Sequence, residues 1–208
     1  MWSVIAAFIV TIIVLVFATF WSQRSVSLWS YVPAQTQQLV YVELNDTMRE
    51  VLIRDDSAIP ADIRALFDSV DTLLLGQNAD TQNDFSFVLG ILREDIDTNL
   101  TKDALESFLT TGYDYAMLTR EMFVYGTEEN IAKVREPNDE ETFVNEALVP
   151  YIKKMEKENH NIAVFTKVTD ASFVQAPALT QGVDAMVLLA SWYSDDMHGS
   201  FHVVGDSV

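Results

Sequence analysis

The chain has 208 residues, and its 31 acidic and 13 basic side chains give a formal net charge of −18 at pH 7. A surface this acidic repels a phosphate backbone, so the composition argues against any nucleic-acid partner. The absence of cysteine excludes disulfides, thiolate catalysis and cysteine-ligated metal centres.

The first segment of the chain is apolar. No charged side chain occurs from Trp2 to Trp21, and about twenty helical residues cross the roughly 30 Å hydrocarbon layer of a bilayer. Aromatic residues at both ends are typical of membrane interfaces. We therefore predict a transmembrane helix over 1–21. Val16-Phe17-Ala18 also fits a signal-peptide cleavage site, so removal of the segment stays open.

This segment also suggests partners and an orientation. Ser3, Ala7 and Thr11 lie four residues apart and would share one helix face. Small residues so placed let membrane helices pack closely, which predicts contact with other membrane proteins or self-association within the lipid bilayer. A long domain translocates largely regardless of charge. We expect a polar linker over 22–32 and an acidic domain over 33–208 outside the cytoplasm.

The first half of the domain is expected to alternate strands and helices. Pro60 is typical of a helix start, and Gly76 is typical of a helix end after apolar residues at helical spacing. In chain order the predicted elements are a strand over 39–44, a short helix over 45–54, a helix over 60–74, a strand over 85–92 and a helix over 102–110.

The second half adds hairpins. Thr127 is expected to cap a helix that begins with two glutamates, and Pro150 to kink or divide a long helix. The predicted elements are a hairpin of 115–118 and 122–125, helices from 128 and over 140–158, a strand over 161–168, a loop or short helical piece over 170–181, and a hairpin of 186–193 and 201–204. Seven strands with tight hairpins predict an α+β fold, in which one N-terminal transmembrane helix precedes a largely antiparallel sheet with flanking helices.

The order of these pieces resembles that of uncharacterised bacterial single-span envelope proteins with an extracytoplasmic domain of unknown function. The similar segments are Tyr31-Val32-Pro33-Ala34-Gln35-Thr36 before the first strand, the hairpin–Gly–helix run from Met122 to Ile131, and the strand pair of 185–191 and 199–204. The resemblance implies an envelope location and this architecture, and it carries over no site residues.

One segment has the spacing of a calcium-binding loop. Oxygen-bearing residues occupy positions 1, 3, 5, 7, 9 and 12 of an EF-hand pattern, and they are Asp95, Asp97, Asn99, Thr101, Asp103 and Glu106. Leu100 stands where the turn requires Gly, and Lys102 stands where an apolar residue is usual. The alternative is a helix capped by Thr101, so we commit to no metal and keep calcium as a candidate cofactor.

Other chemistry-bearing groups give weaker patterns. His198 and His202 lie near Asp195 and Asp196, but four residues of a strand separate side chains by roughly 13 Å. The acid pairs at 55–56, 139–141 and 195–196 are more typical of solvated loops and helix starts than of a glycosidase site.

The sequence contains no recognised catalytic motif, and it therefore favours a non-enzymatic role. We expect a membrane-anchored subunit or interaction module of an envelope or membrane protein assembly. The alternatives are a calcium- or ligand-binding extracytoplasmic domain and a hydrolase with an unrecognised carboxylate site.

Overall fold

The structure is a computed structural model that describes residues 28–53, 61–78, 85–93, 98–107, 112–135, 143–144, 147–168, 182–193 and 196–205. The predicted transmembrane helix, with Ser3, Ala7 and Thr11, lies outside the described residues. So do residues 22–27 of the predicted linker and the whole of 170–181.

Eight strands of the described residues form one sheet in the order β4-β5-β3-β2-β1-β6-β7-β8, and every neighbouring pair is antiparallel. The strands are β1 Thr36–Glu43, β2 Val70–Asn78, β3 Phe87–Leu92, β4 Asp114–Met117, β5 Met122–Gly126, β6 Ile162–Lys167, β7 Ala185–Tyr193 and β8 Asp196–Val204. The helices are α1 Asp46–Ile53, α2 Ala61–Ser69, α3 Thr98–Ser107, α4 Glu128–Arg135 and α5 Val149–Lys157, after a 3-10 turn at Leu28–Tyr31.

The predicted fold class, an α+β domain with flanking helices behind one N-terminal transmembrane helix, is wrong in its balance of strands and helices. A single antiparallel sheet dominates the described part of the chain, and the helices there have only eight to ten residues each. Among those helices, none combines the length and the hydrophobicity needed to cross a membrane.

Two of the predicted helices are also wrong in extent. The helix expected over 60–74 ends at Ser69, and the chain continues as β2 because its apolar residues pair with strands on both sides. A short apolar run fits either period, so the sequence alone did not decide between them. The helix expected over 140–158 begins only at Val149, with Pro150 in its first turn, where a missing N–H costs nothing.

The larger core lies on the sheet face that α4 and α5 cover, which we call the α5 face. Ile131 and Val134 of α4, with Ile152 and Met155 of α5, pack on buried strand residues. Trp29 closes the same core near β1 and β6: its ring stacks on Tyr41 at 5.7 Å and meets Phe165 edge-on at 5.6 Å. The α5 face is therefore covered by helices and by the turn that precedes β1.

The opposite face, which we call the α3 face, carries a smaller core. Leu105 of α3 is buried there, and Leu66 and Phe67 of α2 pack beside it. The strand residues of this cluster come from β2, β3, β4 and β5, together with the end of β1. The helices of the α3 face thus cover one half of the sheet.

Two glycines let aromatic rings lie flat across neighbouring strands. Gly76 pairs with Phe87, and a Cβ added to Gly76 would come within 2.1 Å of that ring. Gly90 pairs with Phe123 in the same way, with the ring 2.2 Å from an added Cβ. The sheet therefore uses one device twice, in which a Gly on one strand accommodates a Phe on the next.

The first prediction concerns this device. Gly76→Ala should lower the free energy of unfolding by about 1–3 kcal/mol, because the new methyl group overpacks a fully buried ring. Urea unfolding measures the change. Phe87→Leu in the same chain should recover part of the loss, since the smaller side chain leaves room for the methyl group. Strictly additive effects of the two substitutions would contradict the proposed contact.

Candidate interaction surface

One row of apolar and aromatic side chains crosses the whole sheet on the α3 face. Paired residues of antiparallel strands point to the same face, so the register defines the row. From β4 to β8 it contains Tyr115, Tyr125, Val88, Leu75, Val40, Val164, Leu188 and Phe201.

Helices cover this row at its β4 end, whereas its side chains are exposed at the β8 end. Tyr115, Tyr125 and Val88 pack with the cluster under α2 and α3 and are half-buried. At the β8 end Leu188 is 37 % exposed and Phe201 is 61 % exposed. The sheet is thus apolar from edge to edge, whereas the helices of the described residues leave Leu188 and Phe201 exposed.

The exposed end extends along β8. Met197 and Val203 lie on the same face as Phe201 because they stand four and two residues from it, and they are 61 % and 57 % exposed. Single exposed apolar residues are ordinary, but a contiguous group marks a contact surface. We call Leu188, Met197, Phe201 and Val203, together with the outer edge of β8, the β8 surface.

β8 is also an edge strand. Among the described residues it pairs only with β7, so its outer backbone groups have no strand partner. It has nine residues, against four in β4 at the opposite edge. From Met197 to Gly205 there is no Asp, Glu, Lys, Arg or Pro, although these are the residues that usually protect an edge from pairing.

The other side of β8 is engaged by α5. The His202 ring lies 5.1 Å from the Tyr151 ring, and its Nε2 lies 3.4 Å from Lys154 Nζ and 2.8 Å from Ser200 Oγ. The contacts of His202 with Tyr151 and Lys154 join β8 to α5. Within the part of the chain that the structure describes, the α3 face of the strand and its outer edge therefore remain exposed.

The predicted calcium residues lie partly within a helix. Asp95 and Asp97 lie outside the described residues, whereas Asn99, Thr101, Asp103 and Glu106 belong to α3. Asp103 and Glu106 are exposed, and Glu106 accepts a hydrogen bond from the Tyr115 hydroxyl at 3.1 Å. Calcium binding stays a prediction that these positions do not test.

The histidine candidates lie on one strand. His198 and His202 both belong to β8, which begins at Asp196 and is longer than predicted, while Asp195 lies outside the described residues. No group of three or more His, Asp or Glu side chains suited to a metal ion occurs in the part of the chain that the structure describes. The acid pairs at 55–56 and 139–141 lie outside that part.

Sequence reasoning missed a serine–histidine–glutamate arrangement. His160 Nδ1 lies 2.8 Å from Ser191 Oγ, and its Nε2 lies 3.1 Å from Glu158 Oε2. The histidine of such an arrangement can activate the serine as a nucleophile, and catalysis also requires backbone donors that stabilise the oxyanion. Ser191 lies 31 residues beyond His160 in the chain, so no local motif announced the contact.

The backbone beside Ser191 is already hydrogen-bonded. The N–H of the next residue, Trp192, donates to Asn161 Oδ1 at 2.8 Å, and in serine hydrolases this N–H commonly contributes to the oxyanion hole. Asn161 Nδ2 and Asn45 Nδ2 both donate to the Trp192 carbonyl, at 3.0 and 2.7 Å. We interpret these hydrogen bonds as structural, because they connect β7, the start of β6 and the segment before α1. We call Asn45, Asn161 and the Trp192 backbone the asparagine joint.

A cleft of about 550 Å³ lies between β4 and α4. The ring of Tyr113, which lines the cleft, stacks on the ring of Tyr125 with the centroids 5.6 Å apart. The pKa of Tyr115 is raised, chiefly by burial and secondly by the hydrogen bond to Glu106. Its lining residues are Gly112, Tyr113, Asp114, Tyr115, Ala116, Glu128, Ile131, Ala132 and Arg135. The neighbouring residues 108–111 and 136–142 lie outside the described residues, so we assign the cleft no ligand.

Two partly buried cations have structural partners. Lys167 Nζ donates to the Ala34 carbonyl at 3.0 Å and lies 4.6 Å from the centre of the Phe143 ring, and burial lowers the pKa of this lysine. Arg49 donates to the Phe67 carbonyl at 2.7 Å, near the end of α2. Both side chains tie chain segments together, and neither adds a ligand site.

Comparison with known proteins supports the fold alone. No family model matches the chain, and no curated protein matches its sequence. Three crystal forms of the protein TP0453 have a similar structure. Form III gives a TM-score of 0.58 at 11% identity over 89% of this chain and 82% of that chain; form I gives 0.58 at 12% over 86% and 78%; form IV gives 0.56 at 12% over 86% and 81%.

The second prediction concerns the asparagine joint. Asn161→Ala should lower the free energy of unfolding by about 2–4 kcal/mol, because its buried side chain satisfies both backbone groups of Trp192. Asn45→Ser is the matched control and should cost less, since Ser can still cap α1, as Asn45 Oδ1 does for the Met48 N–H at 2.9 Å, and Asn161 still bonds the same carbonyl. Thermal or urea unfolding compares the two variants. Equal losses would contradict the central place of Asn161.

Proposed function

We propose that this protein is a non-enzymatic interaction subunit of a membrane or envelope assembly and that the β8 surface is where it binds another protein. The single observation that carries the proposal is the apolar row, which is covered at one end and exposed on β7 and β8. An exposed sheet edge beside exposed apolar side chains offers both backbone hydrogen bonds and hydrophobic contact to an incoming strand.

Charge supports a protein partner at this surface. The chain carries 31 acidic side chains, yet Asp196 is the one charged residue of β8. A partner that approaches the strand therefore meets little of the repulsion that the rest of the surface creates. It would bury the three most exposed large apolar side chains of the described residues, Met197, Phe201 and Val203.

Membrane attachment is the second part of the proposal. The uncharged segment from Trp2 to Trp21 supports it, because about twenty apolar residues favour lipid over water. The acidic domain would then lie outside the cytoplasm, in agreement with its resemblance to single-span envelope proteins. Attachment also favours assembly, since proteins held in one membrane meet at a high effective concentration.

The third prediction tests the surface in the assembled state. Phe201→Lys should remove the protein from a larger complex in gently solubilised source membranes, because Lys places a charge at the centre of the apolar contact. Native mass measurement, with identification of the co-migrating proteins, reports the change. Phe85→Lys is the matched control, since Phe85 is also exposed, at 46 %, but precedes β3 far from β8 along the sheet.

The outcomes separate the candidate partners. Loss of the complex in Phe201→Lys alone supports the proposal. A wild-type protein that migrates as a single chain contradicts it, and so does a complex that survives Phe201→Lys unchanged. If Phe201→Lys reduces only binding to protein-free vesicles, the β8 surface contacts lipid instead of protein, and the proposal fails.

A further inference from the structure

The β8 surface has a feature that identifies a particular partner. We propose that it binds a second copy of the same chain, with the two β8 strands paired antiparallel about a two-fold axis at Ser200. This inference rests on the proposed function and deepens it, because it names the partner. The product would be one continuous sheet that runs through both copies.

Symmetry makes this pairing geometrically simple. Two identical strands related by a two-fold axis perpendicular to their sheet are always antiparallel, and every other strand pair in this sheet is antiparallel as well. Both copies then present the same face on the same side. With Ser200 on the axis, Met197 of each copy stands opposite Val203 of the other, and the exposed apolar residues meet.

The same register repeats the Gly–Phe device of the core. Gly199 and Phe201 lie on one face of β8, on either side of Ser200. The two-fold axis places Phe201 of each copy opposite Gly199 of the other. Within the chain, Phe87 lies over Gly76 and Phe123 over Gly90 with this pairing. The short sequence Gly199-Ser200-Phe201 is therefore self-complementary, and the same Phe–Gly contact would form twice in one interface.

Charge favours this location for self-association. Two chains that each carry −18 repel over most of their surfaces. β8 has no charged residue after Asp196, and in the proposed register the two Asp196 side chains lie at opposite ends of the interface. On the α5 face His198 of one copy would stand opposite His202 of the other, and no carboxylates would be opposed.

The fourth prediction tests the register directly. The chain has no cysteine, so one substitution creates a unique thiol. In the full-length protein in detergent, Ser200→Cys should form a disulfide-linked dimer on mild oxidation, because directly opposed strand residues fall within the Cα separation that disulfides require. Asp196→Cys is the matched control, since its two copies would lie about 27 Å apart. It should stay monomeric on a denaturing gel.

A further variant separates this interface from association through the N-terminal segment. Adding Phe201→Lys to Ser200→Cys should reduce the cross-linked fraction about tenfold or more, since both halves of the interface lose their aromatic contact. Thermal unfolding confirms that each variant is folded. Phe85→Lys in the same background should leave the cross-linked fraction unchanged.

Three results would overturn the proposal: no dimer from folded Ser200→Cys, equal or stronger cross-linking of Asp196→Cys, and no effect of Phe201→Lys on cross-linking. Failure of the two-copy inference remains distinguishable from failure of the proposed function. If Ser200→Cys does not cross-link but Phe201→Lys still removes the protein from the complex in solubilised source membranes, then β8 binds a different protein.

Discussion

The structure depends on an imbalance between its sheet and its helices. Eight strands carry apolar side chains on both faces, whereas the five short helices of the described residues cover the α5 face and half of the α3 face. Buried strands are stabilised by the removal of apolar area from water. The row that ends at Leu188 and Phe201 continues the core pattern beyond the last covering helix. An apolar strand face without a helix to cover it is most simply completed by another protein.

The charge distribution agrees with this reading. A domain with a pI near 4.3 is kept apart from other acidic molecules by repulsion over most of its surface. The uncharged stretch from Met197 to Gly205 interrupts that surface at the longest unprotected edge of the described sheet. Natural sheets commonly place charges or prolines on such edges to prevent pairing. Because β8 lacks both from Met197 to Gly205, its edge is suited to pairing with another strand. The same repulsion would disfavour association elsewhere and so would restrict it to this edge.

Much of the local structure could be predicted from the sequence, and the candidate site could not. The hairpin of β4 and β5 is confirmed, and so is the Thr127 cap, whose hydroxyl accepts a hydrogen bond from Asn130 N–H, because turn and cap signals are local. β2 was missed because its apolar run fits a helix as well as a strand. The exposure of Phe201 depends on where helices from distant parts of the chain pack, and no pattern within β8 encodes that.

Pairing of β8 with a second chain is tested most directly by amide hydrogen exchange of the full-length protein in detergent, measured at low and high protein concentration. We expect outward-facing amides of β8 to exchange more slowly at high concentration, because a paired strand protects them, while amides of β4 at the opposite edge exchange at the same rate in both samples. Equal exchange rates for β8 at both concentrations would contradict the claim that this edge is completed by a second chain.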